Sequence, residues 1–290
     1  MKWLKRLLYL IALVLLALIA FALVGIYLYR GTPSWYRPRV ATTQQIKDAA
    51  NSADQKLLDL FSWAASAQAQ QLRRIHGISS PTDAPVGPKT VTFNEDEVNS
   101  FIASWKNPDK SELEQRISRY FTDGRVVFDT DAVILAGQSP AFGALASAQF
   151  DPGIDAQGNL NVTLDSIHAG LLPIPQLTLA PHLRSLQFLL QQQLALQRHA
   201  VTIDSALTAN SSALAACWLR LLLSALNDQP ADPILIIPFN ITNLHHGLPV
   251  KLTAIQIVPG QITLTLTPLA PEDRENLLER LQQPWPPARQ

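Results

Sequence analysis

The sequence has a single cysteine and no excess of either charge. Its 290 residues contain 23 basic and 23 acidic side chains. One cysteine excludes an intramolecular disulfide framework, so the fold must depend on an apolar core. Balanced charge provides no basic field, and nucleic acid is therefore not an expected partner. Cys217 lies in an apolar stretch and is expected to be a buried small side chain rather than a reactive thiol.

The sequence also lacks the standard motifs of catalysis. It contains no HExxH, no GxSxG, no paired CxxC and no glycine-rich phosphate loop. Adjacent His245 and His246 are not expected to bind one metal ion, because neighbouring side chains seldom point at the same place. We therefore expect no catalytic residue, no metal and no cofactor. An envelope hydrolase, with its site assembled from distant residues, is the least favoured alternative.

A long uncharged apolar run near the amino terminus predicts a membrane anchor. It extends from Leu7 to Leu28 and follows Lys5 and Arg6. As a helix with ~1.5 Å rise per residue, it would span the ~30 Å hydrocarbon core of a bilayer. We expect residues 1–30 to form a cytoplasmic stub and a single-pass signal-anchor in the cell (inner) membrane. The lipid bilayer is then the partner of residues 7–28, and the rest of the chain is extracytoplasmic.

A cleaved signal peptide is the alternative to this anchor. Ala20-Phe21-Ala22 has the small-x-small form of a cleavage site. Retention is favoured because the apolar run exceeds the ~7 to 15 residues usual for a cleaved signal.

Residues 31–90 are expected to form a stalk, a membrane-proximal helix and a linker. Prolines favour an extended stalk from Thr32 to Val40, since each disfavours helix for itself and its predecessor. Apolar residues at helical spacing then predict an amphipathic helix from Thr43 to Ile75. The proline- and glycine-bearing stretch from Gly77 to Lys89 is typical of a linker.

Residues 91–290 are expected to form the main α+β domain, with mostly antiparallel strands. Asn94 should cap a helix whose first turn carries Glu95 to Glu97, and these acidic groups are expected to complement the helix dipole rather than to catalyse. A turn at Asp123-Gly124 is expected to precede one strand, Arg125 to Leu135. Asp129 and Asp131 would then lie on one solvated strand face.

The sequence also predicts further strands and helices within residues 91–290. Strands are predicted at Leu160 to Ala169, Ile234 to Ile241, Val250 to Val258 and Gln261 to Thr267, the last two forming a hairpin. Helices are predicted at Ser111 to Phe121, Pro181 to Gln197, Ser211 to Leu226 and Pro271 to Gln282. The predicted fold class is thus an N-terminal transmembrane helix followed by a mainly antiparallel curved sheet packed with long helices.

Aliphatic side chains are unusually abundant in the predicted elements and in proline-bearing loops. Gly170 to Leu177 is apolar, although Pro173 and Pro175 interrupt it, which favours a loop or an edge strand. This surplus has two interpretations that the sequence does not separate. It forms either a thick core or an apolar groove with aliphatic walls.

The chain resembles the YpmS-like family of single-span extracytoplasmic proteins. The resemblance rests on VTFNEDEVNSFIASW at Val91 to Trp105, on Arg125 to Phe150, on Leu160 to Gln176 with its Leu-Pro-Ile-Pro step, and on Ile255 to Leu266. The chain departs from the pattern in its Thr43 to Ile75 helix and in the apolar Ser211 to Leu226 segment. It also looks like the tubular lipid-binding (TULIP-like) architecture.

That resemblance implies an apolar channel between a curved antiparallel sheet and a long helix. The residues that it implies as groove walls are Phe101, Ile102, Trp105, Leu171, Leu172, Ile174, Leu186 and Leu190. The expected function is a membrane-anchored, non-catalytic domain that binds lipid or another apolar ligand in the cell envelope. A structural or assembly scaffold that binds envelope proteins through the Thr43 to Ile75 helix is the alternative.

Overall fold

The fold combines helices with two antiparallel sheets. The computed structural model describes residues 24–36, 42–75, 86–104, 122–139, 143–203, 208–239 and 246–285. Every strand pair in these ranges is antiparallel, which confirms the predicted α+β class. The chain is helical at residues 24–30. None of the helices in the described ranges combines the length and apolarity needed to cross a membrane. The anchor predicted at Leu7 to Leu28 lies mostly outside these ranges.

The first sheet contains strands from the two ends of the main domain. Its strands are β1 (Lys89–Asn94), β7 (Ala209–Asn210), β8 (Ile234–Pro238), β9 (His246–Val258) and β10 (Gln261–Pro268). The order is β1-β10-β9-β7, and β8 also pairs with β9. The predicted hairpin between the last two strands is confirmed, with Gly260 in its turn at φ +85°.

The second sheet is a meander of consecutive strands. It consists of β2 (Thr122–Asp129), β3 (Ala132–Ser139), β4 (Ala144–Ile154), β5 (Leu160–Ala169) and β6 (Leu172–Pro173). The single strand predicted from Arg125 to Leu135 is wrong, because the chain reverses between Asp129 and its partner Ala132. Asp131 lies in this turn at φ 55°, a conformation that aspartate tolerates better than most residues. Asp129 is therefore the last residue of β2 and Asp131 lies in the turn, so the two do not share one strand face.

Helices account for most of the remaining described chain. They are α1 (Thr43–Ile75), α2 (Glu95–Ser104), α3 (Gln176–Arg198), α4 (Ser211–Leu226) and α5 (Pro271–Gln282). The bounds of α1, α4 and α5 agree with the prediction. Helix α3 begins before Pro181, which lies inside it, so the expected start was too late. The helix predicted from Ser111 to Phe121 lies outside the described ranges.

Two apolar clusters hold the sheets and helices together. Leu60 and Ala64 of α1 pack with Val250 and Leu266 of the first sheet and Leu160 of β5. Helices α3, α4 and α5 form a second cluster with β8. Helix α1 thus buries its apolar stripe inside the folded unit, with Leu60 only 2% exposed.

Candidate functional site

Helix α2 begins with a capping box that connects it to β1. The Asn94 side chain accepts a hydrogen bond from the Glu97 backbone N–H at 2.8 Å, and the Glu97 carboxylate accepts one from the Asn94 N–H at 2.9 Å. This reciprocal pair satisfies two donors that a helix start leaves free. The predicted Asn94 cap is therefore confirmed.

Glu97 also joins α2 to α1. Its carboxylate is buried and accepts hydrogen bonds from Ser52 Oγ at 2.5 Å and from Lys56 Nζ at 2.7 Å. Burial raises the pKa of Glu97, but the hydrogen bonds from Lys56, Ser52 and the Asn94 N–H outweigh burial and leave that pKa below its ordinary value. Glu97 thus forms an ionised, fully paired contact between two helices.

Two further α2 side chains bind the free edge of β2. The Asn99 amide accepts from the Val126 N–H and donates to the Val126 carbonyl, both at 2.7 Å. Glu95 accepts from the Phe128 N–H at 2.9 Å. Side chains here replace the neighbouring strand that the edge lacks. The acidic first turn therefore holds α2 beside the second sheet, in addition to complementing the helix dipole.

One face of the second sheet is apolar from edge to edge. Cross-strand pairing arranges its side chains in rows, since paired residues of antiparallel strands point to the same side. The first row is Phe128, Val133, Phe150 and Leu164. The second row is Val126, Leu135, Ala148 and Ile167. The third row is Gly137, Ala146, Ala169 and Leu172.

The rows differ in what covers them. Phe128 and Val133 pack against Ile257 of the first sheet. In the second row, Val126 is buried in the same cluster, but Leu135 is 43% exposed. Ala148 and Ile167 are half-buried, as Phe150 and Leu164 of the first row are. We call this open surface the apolar trough. Its floor consists of Leu135, Gly137, Ala146, Ala148, Ile167, Ala169 and Leu172.

The trough measures about 13 Å along β3, from Leu135 to Ser139, and about 14 Å across, from β3 to β6, at ~3.3 Å per residue and ~4.8 Å per strand spacing. Its floor carries small side chains, and Gly137 among them is buried. A linear aliphatic chain matches an apolar floor of this size.

A hydroxyl group lies at the far end of the trough. Ser139 pairs with Ala144 in the row beyond Gly137 and is 2% exposed. Its Oγ has no hydrogen-bond partner. A buried hydroxyl without a partner costs about 1–3 kcal/mol, so a ligand atom that accepts its hydrogen bond would be stabilised there.

The trough brings together some of the predicted wall residues. Phe101 and Ile102 follow Val98 by about one helical turn, and Val98 packs against the cluster that contains Phe128. Leu172 is in the floor and Ile174 follows it, with its N–H bonded to the Ile167 carbonyl at 2.8 Å. Leu172 thus lies on the trough floor, and the role of the other three residues as walls stays a prediction.

The remaining predicted wall residues lie elsewhere. Leu186 and Leu190 pack in the cluster of α3, α4 and α5, and Leu190 is 4% exposed. Leu171 lines a small cavity on the opposite face of the sheet. Trp105 is outside the described ranges. The assignment of all eight residues to one groove stays a prediction.

Sequence reasoning missed most of the trough floor and Ser139. A usable signal was present in β4, where Ala144, Ala146 and Ala148 alternate with Leu145 and Ser147. Small apolar residues at a period of two predict a strand face with unfilled space.

The cavity on the opposite face separates the sheet from the segment after residue 30. Pro33 and Trp35 lie over Ile134, Ser147 and His168 and enclose about 150 Å³. Ligand pockets usually measure about 300–1,000 Å³, so we interpret this space as a packing gap. Pro33 is buried, which shows that the segment expected to be a free stalk contacts the sheet.

Cys217 and the metal-binding residue types are the candidates for reactive or metal-binding groups. Burial raises the pKa of the Cys217 thiol to about 12, so the thiolate is scarce at neutral pH. Within the described ranges, no three His, Cys, Asp or Glu side chains are placed to bind a metal ion. No protein-family model, curated protein or solved structure matched the chain.

Proposed function

We propose that this chain is a membrane-anchored, non-catalytic domain outside the cytoplasm that holds a lipid acyl chain in the apolar trough. The supporting observation is a sheet face with an apolar floor, incompletely covered, that ends at the unpartnered hydroxyl of Ser139. The floor suits the aliphatic chain, and the hydroxyl suits an ester or carboxyl oxygen near it. The chain therefore binds a lipid rather than a pure hydrocarbon.

The resemblance to the YpmS-like family is part of this proposal. In TULIP-like architecture a curved sheet encloses an apolar channel. Such a channel would explain the exposed apolar row at Leu135 and Ala148. Each buried methylene contributes ~0.8 kcal/mol, so six methylenes on the trough floor would contribute about 5 kcal/mol before the cost of ordering the chain.

Protein binding in the envelope is the second candidate function, and a different surface favours it. The burial of Leu60 and Ala64 in helix α1 gives less support to the partner surface that the sequence suggested there. The exposed large apolar side chains of the α3–α4 pair are Phe188, Leu196, Trp218 and Leu222. Such residues on two packed helices are typical of a partner surface.

Native mass spectrometry of the full chain, released from its membrane in mild detergent, tests lipid binding. We expect roughly one co-purifying lipid per chain. Ala148→Trp fills the trough and should reduce lipid occupancy at least fivefold. Gln138→Trp is the matched control, because Gln138 is exposed on the opposite face of β3. Equal occupancy in the two variants would contradict the proposal and favour the protein-binding function.

A further inference from the structure

The turn between β5 and β6 contacts the helical segment at residues 24–30. The Leu171 N–H donates to the Leu28 carbonyl at 2.7 Å. Carbonyls in the last turn of a helix have no partner within the helix, so this turn supplies one. Leu28 is also the last residue of the apolar run that predicts the anchor.

Two glycines allow the backbones to approach this closely. Gly170 has φ +62°, and a Cβ there would collide with the backbone oxygens of Leu28, Tyr29 and Gly31. A Cβ at Gly31 would lie 2.5 Å from Leu171 Cδ1. Larger residues at either position would force the turn away from the helix end.

Exposed apolar side chains on the same helical segment indicate what surrounds it. Val24, Ile26 and Tyr27 are 55%, 52% and 72% exposed. A bilayer would cover these side chains if residues 7–28 form the anchor, and the membrane surface would then pass close to Leu28. The hydrogen bond from Leu171 would hold the neighbouring Leu172, at the edge of the trough, beside that surface.

We infer that the docked β5–β6 turn places the β6 edge of the trough at the outer surface of the bilayer, where a lipid acyl chain enters. This inference rests on the proposed function. With direct entry, the lipid acyl chain does not pass through water. The free-energy cost of exposing it to water would rise with each methylene. The occupant is therefore a lipid of the membrane that holds the anchor.

Placement at the membrane is tested with a fluorophore on Pro173→Cys, an exposed position of β6, in the full chain in vesicles. Cys217 should not react, because its thiol donates a hydrogen bond to the Ile234 carbonyl and its pKa is raised to about 12. Phosphatidylcholine with a nitroxide headgroup is the quencher. We expect strong quenching in the parent chain and at least threefold less after Gly170→Ala. The matched control is Gly158→Ala, at another positive-φ glycine (φ +82°) that has open space around it.

Lipid entry is tested in the same three chains by the occupancy measured with native mass spectrometry. Occupancy should fall at least threefold in Gly170→Ala and stay near the parent value in Gly158→Ala. Weak quenching in the parent chain, or quenching unchanged by Gly170→Ala, would overturn the inference. Normal occupancy in a Gly170→Ala chain that has lost its quenching would also overturn it. Strong quenching in a parent chain that carries no lipid would instead contradict the proposed function.

If Gly170→Ala does not fold, a cysteine pair at Leu28→Cys and Leu171→Cys replaces it. The backbone hydrogen bond between these residues brings them close enough for a disulfide. We expect the disulfide to form in membranes and the locked chain to keep its lipid. Failure of the pair to join, or loss of the lipid on joining, would overturn the inference.

Discussion

The two ends of one sheet face differ in side-chain size and in cover. At the first row, Phe128 is 4% exposed beneath Ile257 of the first sheet. One row further along, Leu135 is 43% exposed. The neighbours of Leu135 across the strands are also smaller, with Ala148 in place of Phe150. The same sheet face therefore has a closely packed position at Phe128 and an exposed apolar position at Leu135.

This difference shows how a core is distinguished from a binding surface. Large side chains at the first row fill the space between the sheets, as close packing requires. The trough carries smaller side chains instead. Helix α2 is held beside it by Asn99 and Glu95, and Val98 packs against the cluster that contains Phe128. An apolar strand face is thus not by itself a core, because its function depends on what lies above it.

Removal of a large side chain from each end of this sheet face should produce the largest difference in unfolding free energy. Phe128→Ala leaves a cavity between the sheets and should lower the free energy of unfolding by about 3–5 kcal/mol. Leu135→Ala is the matched change in the trough and should cost about 1 kcal/mol or less, since Leu135 already faces solvent. Urea denaturation measures both values. Similar losses would show that the two ends are both core.

Loss of the contact between α2 and the second sheet should have the next largest effect on the unfolding free energy. Asn99→Ala leaves the buried N–H and carbonyl of Val126 without partners and should cost about 2–4 kcal/mol of unfolding free energy. Asn51→Ala, on the exposed side of α1, should change stability by less than about 0.5 kcal/mol. Equal values in urea denaturation would mean that water replaces the Asn99 amide, and that α2 is not held at the β2 edge.

Acid should weaken the contact between α1 and α2 by a smaller amount. The folded-state pKa of Glu97 lies below its ordinary value, so its stabilising contribution is present above pH ~4.3 and is lost as pH falls through the folded-state pKa. Glu97→Gln removes that contribution. The difference in unfolding free energy between parent and variant should therefore narrow from pH ~6 to pH ~3. A difference that stays constant would mean that the charge of Glu97 is not involved.

The sequence predicted the secondary-structure elements better than it predicted the apolar trough. Helix α4 and strand β5 were expected at their observed bounds, because apolar periodicity and capping residues act locally. The predicted wall residue Leu172 lies on this sheet face, and its role as a groove wall stays a prediction. The trough floor was missed because it depends on the register of four strands, and the β2–β3 turn was not predicted, since one strand was expected from Arg125 to Leu135. A shift in that turn changes which side chains share a face.

The sequence could not show which leucines pack in the helical cluster and which lie on the sheet face. Leu190 and Leu172 both follow apolar patterns, yet Leu190 packs among helices and Leu172 lies at a sheet edge. Ser139 gave no local signal, since its lack of a partner depends on the surrounding fold. Tertiary packing determines each of these differences.

Photochemical labelling tests the central claim that the open end of this face holds a lipid chain. The full chain would be placed in phosphatidylcholine vesicles that carry a diazirine in the acyl chain, irradiated, and digested for mass spectrometry. We predict labelled residues at Leu135, Ala148 and Ile167, together with the anchor, and none at Phe128. Labels confined to the anchor, or equal at Phe128 and Leu135, would contradict the account.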